Sequence, residues 1–319
     1  MKVLVLGGTK FVGRHIVEAL LARGDDVSIF SRGQTNPDLF DGISCLIGDR
    51  LGDASALSGT NWDLVIDTSA YVPRAVDTTS AHLRSNVENY VFISTISVYK
   101  DPPPGSNETA PQAELSDSTT ETVDAESYGG LKVLCENTVM DNFPNATIVR
   151  PGLLIGPHDH TDRFPYWVWR CAQPGPLPLP AVRKQAIQLL DARDLAAFAV
   201  SSIGKGQVFN ATGKACTFGD VIDTCIEAGG RVAEPIWLAP AHFKKAEIEP
   251  WKHLPLVTSF EGENDGMMNL DSSSAYAQGL SLRPLLDSTN DTNTWLGDRN
   301  ELLVGMSCDQ EKKVLELRS

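Results

Sequence analysis

The chain has 319 residues, of which 42% are hydrophobic and 21% are charged, enough for a well-buried core in one large domain or two merged ones. The composition excludes extended disorder. The formal net charge of −14 argues against nucleic-acid binding as a main role, because most of the surface would repel a phosphate backbone. A local basic pocket for one phosphate is still allowed.

The amino-terminal run MKVLVLGG is too short for a signal peptide, and no stretch is long enough to cross a membrane. We therefore expect a cytoplasmic protein without a membrane partner. The six cysteines are scattered and form no CxxC pair, which predicts reduced core thiols. His158 and His160 share one loop, but no further ligand stands at a suitable spacing, so no metal site is predicted.

Strand and helix patterns alternate along the first half of the chain. Val3–Leu6 is a short run of Val and Leu, typical of a buried strand, and a glycine-rich turn follows it. A helical repeat then continues to Arg23 and ends at Gly24. Further strands are predicted at Val27–Phe30, Ile43–Ile47, Leu64–Ile66, Tyr90–Ile93 and Thr147–Val149, and further helices at Ala75–Arg84 and Ser127–Met140.

This alternation predicts an α/β fold of the doubly wound Rossmann type, with a parallel sheet covered on both faces. Residues 101–125 are rich in Pro, Ser, Thr and acidic residues and are predicted to form a surface loop. The pattern becomes mixed after about residue 155. We predict a dinucleotide-binding domain over 1–157 and a smaller mixed substrate lobe over 158–319. Some later segments are expected to return to the main sheet, the candidates being Ala186–Leu190, Leu195–Val200 and Gln207–Asn210.

The glycine-rich turn between the first strand and the first helix has the composition of a phosphate cradle. Gly7 permits a tight turn, the backbone beside it can approach a pyrophosphate, and Gly13 lets the helix pack closely. The helix N-terminus offers free N–H groups to the anion. A glycine motif alone is a weak signal, but the strand–turn–helix context favours a dinucleotide site. The predicted cofactor contacts in this turn are Gly7, Gly8, Thr9, Lys10, Phe11, Val12 and Gly13.

The end of the second strand selects between the two nicotinamide dinucleotides. An NAD site usually has Asp or Glu there, whereas this chain has Ser31 and Arg32. Arg32 can bind a 2′-phosphate in a bidentate way, and Lys10 could reach the same group. We therefore predict NADP(H) in preference to NAD(H), which stays open, as does the alternative that both cations are ordinary surface charges. Further cofactor contacts are predicted at Asp49 and Arg50, which could flank the adenine, and at Ser69 and Ala70.

A tyrosine and a lysine at helical spacing provide the predicted chemistry. Tyr128 and Lys132 are four residues apart and share one helix face. A nearby ammonium favours the phenolate, so Tyr128 could exchange a proton near neutral pH. Thr95 ends the fifth strand, and its hydroxyl could hold a substrate oxygen, with Ser97 as the reserve for this role.

Together these motifs resemble the short-chain dehydrogenase/reductase superfamily, in its extended or atypical branch of epimerase/dehydratase-like proteins. The resemblance is clear over residues 1–157 and weaker beyond them. It implies a catalytic triad of Thr95, Tyr128 and Lys132, in which Lys132 also bonds the nicotinamide ribose. Pro151, in the sequence Arg150-Pro151-Gly152, is a further predicted cofactor contact.

The chain departs from this branch at several positions. Lys10 replaces the usual middle glycine of the turn. Sugar-nucleotide dehydratases have Asp-Glu directly after the catalytic Thr, where this chain has Ile96 and Ser97. Leu153 and Ile187 stand where epimerases usually have an Asn and an Arg that bind the diphosphate, which weakens the sugar-nucleotide interpretation.

The sequence therefore predicts an NADP(H)-dependent oxidoreductase that transfers hydride to or from a small carbonyl, alcohol or imine. The loop 156–169 is the candidate lining of the substrate pocket. One alternative is a sugar-nucleotide epimerase/dehydratase-like enzyme with retained NAD. Another is a non-catalytic dinucleotide-binding protein. The expected partner is a small-molecule substrate, with no nucleic acid or membrane, and a homodimer is allowed.

Overall fold

The computed structural model describes residues 1–202, 204, 206–261, 266–299 and 301–318. Internal contacts divide the chain into two compact units. The first unit consists of Met1–Gly152, Ala192–Thr212 and Leu270–Ser281, and the second of Leu153–Asp191, Gly213–Asn269 and Leu282–Ser319.

The strands follow one another along the chain as short apolar segments. They are β1 (Lys2–Leu6), β2 (Asp26–Ser31), β3 (Ser44–Ile47), β4 (Trp62–Asp67), β5 (Val87–Ile93), β6 (Thr147–Pro151), β7 (Leu153–Ile155), β8 (Gly175–Pro180), β9 (Ala186–Asp191), β10 (Val208–Ala211), β11 (Ala215–Thr217) and β12 (Ala233–Leu238).

Helices separate most of these strands. They are α1 (Phe11–Arg23), α2 (Pro73–Leu83), α3 (Tyr128–Asn142), α4 (Arg163–Cys171), α5 (Ala192–Ser201), α6 (Phe218–Ala228), α7 (Pro240–Lys245), α8 (Ser273–Ala277), α9 (Leu285–Leu296) and α10 (Cys308–Glu316), with short 3₁₀ turns at Ser55–Leu57, Ile96–Val98 and Gly266–Met268.

The first unit is built on a parallel sheet. Within the described residues its seven strands have the order β10-β6-β5-β4-β1-β2-β3. Helices α2 and α3 pack on the face that presents Leu6, Val65 and Phe92, while α1 packs against α5. Alternate residues of a strand point to opposite faces, so apolar runs such as Val3–Leu6 supply cores on both sides. The predicted doubly wound α/β fold is confirmed.

The later segments do not all behave as predicted. Gln207–Asn210 does join the main sheet, because β10 pairs with β6. Ala186–Leu190 forms β9, which belongs instead to a separate sheet of order β11-β9-β7, so its predicted return to the main sheet is wrong. Leu195–Val200 lies in α5, since its alanine-rich sequence favours a helix over a strand.

The second unit combines small sheets with helices. Strands β8 and β12 pair in parallel, apart from the β11-β9-β7 sheet. Helix α4 contacts both α6 and α9 and buries Phe164, Tyr166 and Trp167. Of the helices that the structure describes, none has the length and apolar character needed to span a membrane.

Candidate functional site

The glycine turn after β1 leaves no room for side chains at its ends. Gly7 and Gly8 have φ angles of +106° and +100°, a region that other residues rarely adopt. A Cβ at Gly13 would lie 2.6 Å from the Gly8 nitrogen, and one at Gly7 would collide with the Thr68 hydroxyl. The turn therefore requires glycine at these positions, and glycines of this kind allow the close approach of a pyrophosphate to the backbone.

The N-terminus of α1 is open to an anion. Lys10 is the N-cap residue and makes no side-chain capping hydrogen bond, and the first turn contains no acidic residue. The positive end of the helix dipole is thus available to an anion without a competing carboxylate. Phe11 begins the helix with φ of +35°, and Val12 is half-buried behind it. The predicted phosphate-binding residues come together here, and they fit a dinucleotide.

One exposed cation lies in the glycine turn, and another directly follows β2. Lys10 and Arg32 are both exposed, and in the described part of the chain neither has an ion-pair partner. Ser31 closes a local turn, since its Oγ accepts from the Gly33 N–H at 3.2 Å. Asn36 donates to the Thr9 carbonyl at 2.8 Å and joins this loop to the glycine turn. Sequence reasoning missed this link, because it depends on how two loops meet.

The Arg50 guanidinium is hydrogen-bonded to other side chains of the protein. Its Nη1 and Nη2 donate to Oδ1 and Oδ2 of Asp67, each at 2.7 Å, and Nη1 also donates to Ser69 Oγ at 2.8 Å. Asp49 is exposed and accepts from the Leu51 N–H at 2.9 Å. The predicted contact of these residues with adenine stays a prediction. Sequence reasoning overlooked Asp67, whose signal is a lone acid at the end of an apolar strand.

Lys132 lies at the centre of the predicted catalytic group. It is 3% exposed, and its Nζ donates to the carbonyls of Ala70 at 3.0 Å and Ile93 at 2.9 Å. An ammonium has three N–H groups, so one remains for a ligand. Burial lowers the pKa of Lys132 to about 8, against the opposing charge of Asp67.

Tyr128 is the first residue of α3 and is half-buried. Its ring centroid lies 6.3 Å from that of Tyr71, a side chain that is 48% exposed. The Lys132 ammonium is 5.8 Å from the centroid of the same Tyr71 ring. The Tyr71 ring is therefore a neighbour of both Tyr128 and the Lys132 ammonium, although the sequence had not indicated Tyr71.

The hydroxyl-bearing turn after β5 packs against the start of α3. Thr95 Oγ1 accepts from the Ser97 N–H at 3.1 Å and donates to Ser97 Oγ at 3.2 Å. A Cβ at Gly129 would collide with the Ser97 carbonyl oxygen, so the glycine after Tyr128 permits this close approach. The predicted triad thus comes from elements that touch.

A buried ion pair braces this arrangement. Glu136 is one helical turn beyond Lys132 and accepts from Arg150 Nε at 3.0 Å and Nη2 at 2.6 Å. It also accepts from Ser94 Oγ at 2.5 Å. Arg150 donates in addition to the Tyr99 hydroxyl at 2.8 Å. The i, i+4 spacing from Lys132 is the sequence signal that could have revealed Glu136. Pro151, beside Arg150 in β6, is buried.

The residues of the predicted substrate loop are largely engaged inside the second unit. Asp162 is buried and bound by both terminal nitrogens of Arg299, at 2.8 and 2.6 Å. Trp167 is buried and donates to the Pro255 carbonyl at 2.5 Å. Among the described residues no cluster of His, Cys, Asp and Glu could hold a metal ion.

Comparison with known proteins places these features in a family. The family model for the NAD dependent epimerase/dehydratase family matches residues 3–211. A curated relative, chloroplast stem-loop binding protein of 41 kDa b from Arabidopsis thaliana, is 26% identical over 250 residues. The match covers 72% of this chain and 63% of the relative, so the chain spans less than two thirds of that protein.

Solved structures with similar folds include three epimerases or proteins described as such. UDP-glucuronic acid 4-epimerase from Bacillus cereus, in complex with NAD, has a TM-score of 0.70 at 18% identity, over 93% of this chain and 96% of that one. A putative epimerase from Burkholderia cenocepacia J2315 has a TM-score of 0.69 at 20% identity, over 92% and 97%. Thermus thermophilus UDP-glucose 4-epimerase, in complex with NAD, has a TM-score of 0.66 at 18% identity, over 94% and 100%. At these identities the likeness shows the fold.

Proposed function

The chain belongs to the NAD dependent epimerase/dehydratase family, and we propose that it is an epimerase that acts on a nucleotide-linked sugar with a retained nicotinamide dinucleotide. The observation that carries this proposal is the packing of the Thr95 turn against the start of α3 at Gly129, which joins the threonine hydroxyl to the helix of Tyr128 and Lys132. The family and the epimerase neighbours favour this function over the small-carbonyl reductase predicted first.

The residues of the site divide the chemistry among themselves. Tyr128 would take the proton of a substrate hydroxyl and later return it, and the Lys132 ammonium would favour the phenolate. Thr95 would hold the substrate oxygen by a hydrogen bond. A dinucleotide whose pyrophosphate is bound at the glycine turn would supply hydride acceptance and return through its nicotinamide.

Epimerisation is preferred to dehydration because of the residues after Thr95. Elimination of water needs a general acid and a general base on the sugar. Ile96 and Ser97 occupy the positions where the resemblance predicts Asp and Glu, and Ile96 is buried. Neither side chain can act as a carboxylate, whereas epimerisation through a transient ketone would need only the Tyr128 proton exchange together with hydride transfer to and from the nicotinamide.

The test is an assay for epimerisation of UDP-glucose, UDP-glucuronic acid and UDP-N-acetylglucosamine, with dinucleotide release measured after denaturation. We expect the wild type to convert one of these sugars without net NADH production. The Tyr128→Phe variant should leave that sugar unconverted. The matched control is Tyr276→Phe. In the wild type the Tyr276 hydroxyl donates to the Thr212 carbonyl and lies outside the triad. If the protein oxidised NADPH with simple carbonyls and converted none of these sugars, the reductase would become the better proposal.

The reductase remains the second candidate because of Arg32 and Lys10. Both are exposed cations at the place where a 2′-phosphate would lie. Two of the epimerase structures with a similar fold are complexes with NAD, so the preference for NADP(H) is supported by these side chains alone.

Calorimetric titration with NADPH and NADH tests this preference directly. If the phosphate is recognised, Arg32→Ala weakens NADPH binding by about tenfold and leaves NADH binding unchanged. Arg84→Ala, an exposed arginine at the end of α2, is the control. An equal loss of affinity for both dinucleotides, or no loss of affinity for either, would contradict the NADP(H) prediction.

A further inference from the structure

The buried pair formed by Arg50 and Asp67 has no role in the chemistry proposed above. Asp67 is fully buried, and four donors surround its carboxylate. Besides the two Arg50 nitrogens, the Tyr90 hydroxyl donates to Oδ2 at 2.9 Å and the Ser69 N–H to Oδ1 at 3.0 Å. Burial alone would raise the pKa of the Asp67 carboxyl, but the Arg50 guanidinium outweighs it and holds that pKa below its usual range. The pair is therefore ionised and fully satisfied.

This pair fixes the turn that follows β4, which we call the Asp67 turn (residues 67–70). Arg50 holds Ser69 Oγ, and Asp67 holds the Ser69 N–H. On the opposite side, the Leu6 carbonyl accepts from the Thr68 N–H at 3.1 Å, Thr68 Oγ1 at 3.0 Å and Ser69 Oγ at 3.2 Å. The turn is thus pinned both to the end of β1 and to the ion pair.

The last residue of the Asp67 turn holds Lys132. The Ala70 carbonyl is one of the two backbone acceptors of the ammonium. A lysine side chain is flexible, and a point charge has no fixed orientation of its own. The direction of its remaining N–H therefore depends on how firmly Ala70 and Ile93 are held. Ile93 lies in the sheet, whereas Ala70 lies in a loop and relies on the pair.

We propose that Arg50 and Asp67 are positioning residues for Lys132, and that they aim its free N–H at the ribose next to the nicotinamide. This inference rests on the proposed function only in that a nicotinamide dinucleotide binds beside Lys132. It also changes the expected role of Arg50, which acts through the turn and not on the adenine.

The test compares two ligands that share their adenine end. NAD⁺ (or NADP⁺, whichever the wild type binds) includes the nicotinamide ribose, and ADP lacks it. We expect Arg50→Met and Asp67→Asn each to weaken NAD⁺ binding by about tenfold in calorimetry and to leave ADP binding within about twofold. Arg231→Met, an exposed arginine of the second unit, is the control.

A double-mutant cycle isolates the action through Lys132. In a Lys132→Met background, Arg50→Met should cause no further loss of NAD⁺ affinity, because the group that it positions is gone. Should either single variant fail to fold, Tyr90→Phe removes one hydrogen bond from Asp67 without unpairing a buried charge, and it should weaken NAD⁺ binding about threefold.

The outcomes separate the alternatives. Loss of ADP and NAD⁺ affinity together would overturn the inference in favour of an adenine contact or a loosened fold. Unchanged NAD⁺ affinity in the variants, or additive losses in the Lys132→Met background, would also overturn it. If the wild type binds neither NAD⁺ nor NADP⁺, the proposed function itself fails.

Discussion

At the scale of single residues, the burial of the Lys132 ammonium is expected to lower the free energy of unfolding. Its ammonium is buried between two carbonyls, and burial lowers its pKa from 10.5 to about 8. The unfolded chain therefore binds this proton more tightly than the folded chain does. The lysine costs folding free energy at neutral pH, as expected for a residue kept for function.

This cost predicts how stability changes with pH. Between the folded pKa of about 8 and the ordinary value of 10.5, the wild type should gain stability as the pH rises. Lys132→Met should lose this dependence. At about pH 7 it should be more stable by up to about 3 kcal/mol, less the value of two lost hydrogen bonds.

Urea denaturation at about pH 7 and about pH 9.5 would measure the difference between wild type and variant. Lys214→Met, an exposed lysine, is the control and should show no pH-dependent difference. A variant less stable than the wild type at neutral pH would contradict the expected cost of burial.

Gly13 allows a second prediction for one residue. In Gly13→Ala the new Cβ would meet the Gly8 nitrogen at 2.6 Å, so the glycine turn must shift. We expect dinucleotide affinity to fall at least about tenfold, with a loss of about 1–3 kcal/mol of stability. Gly52→Ala is the matched control, since its Cβ would approach no atom closer than 3.7 Å. Wild-type affinity in Gly13→Ala, measured by calorimetry, would argue against a pyrophosphate at this turn.

Residue patterns predicted the glycine turn and the Tyr128–Lys132 pair because both depend on spacing within one local segment. The Asp67–Arg50 pair joins the end of β4 to the loop after β3, and the contact of Tyr71 with Tyr128 joins the loop after β4 to the start of α3. No spacing rule links such residues, since their meeting depends on the three-dimensional path of the loops. Sequence reasoning therefore named candidate proton-transfer residues and missed the residues that hold them.

At the scale of elements, the Glu136–Arg150 pair joins α3 to β6. Both side chains are nearly fully buried, so removing one partner leaves an uncompensated charge. Arg150→Met should destabilise the protein by about 3–5 kcal/mol, measured by urea denaturation. The double variant Glu136→Leu/Arg150→Met should recover much of this loss, because no buried charge remains. Glu227→Gln, in an exposed pair on α6, is the control and should change little. If Arg150→Met lost no more stability than Glu227→Gln, the Glu136–Arg150 pair would not be a stabilising link between α3 and β6.

Element patterns were most informative where apolar runs alternate with helical repeats. Predicted strands such as Tyr90–Ile93 lie inside the observed Val87–Ile93, because a buried parallel strand is apolar throughout. The segment Leu195–Val200 was misassigned because a short apolar run fits a strand and a buried helix equally well. Ala186–Leu190 is a strand, but no local pattern indicates which sheet it joins.

At the scale of the whole molecule, charge predicts which ligands the surface tolerates. The net charge is −14, with 41 acidic and 27 basic side chains, so a long polyanion would meet repulsion over most of the surface. A dinucleotide avoids this penalty, because its few phosphates fit within the field of one helix N-terminus and of Lys10 and Arg32. The same balance predicts that nucleic-acid binding is not a main role of this chain, although one curated relative is named a stem-loop binding protein.

We therefore expect no binding of a stem-loop RNA in a gel-shift assay at about 0.15 M salt, and none at lower salt, where a basic surface would bind most strongly. NAD⁺ or NADP⁺ binding to the same preparation shows that the protein is folded. If RNA bound and salt weakened it steeply, phosphates would be neutralised by a basic patch that the net charge conceals. Competition by the dinucleotide would then place that patch at the glycine turn, and the loss of RNA binding in Arg32→Ala would assign it to the cations beside β2.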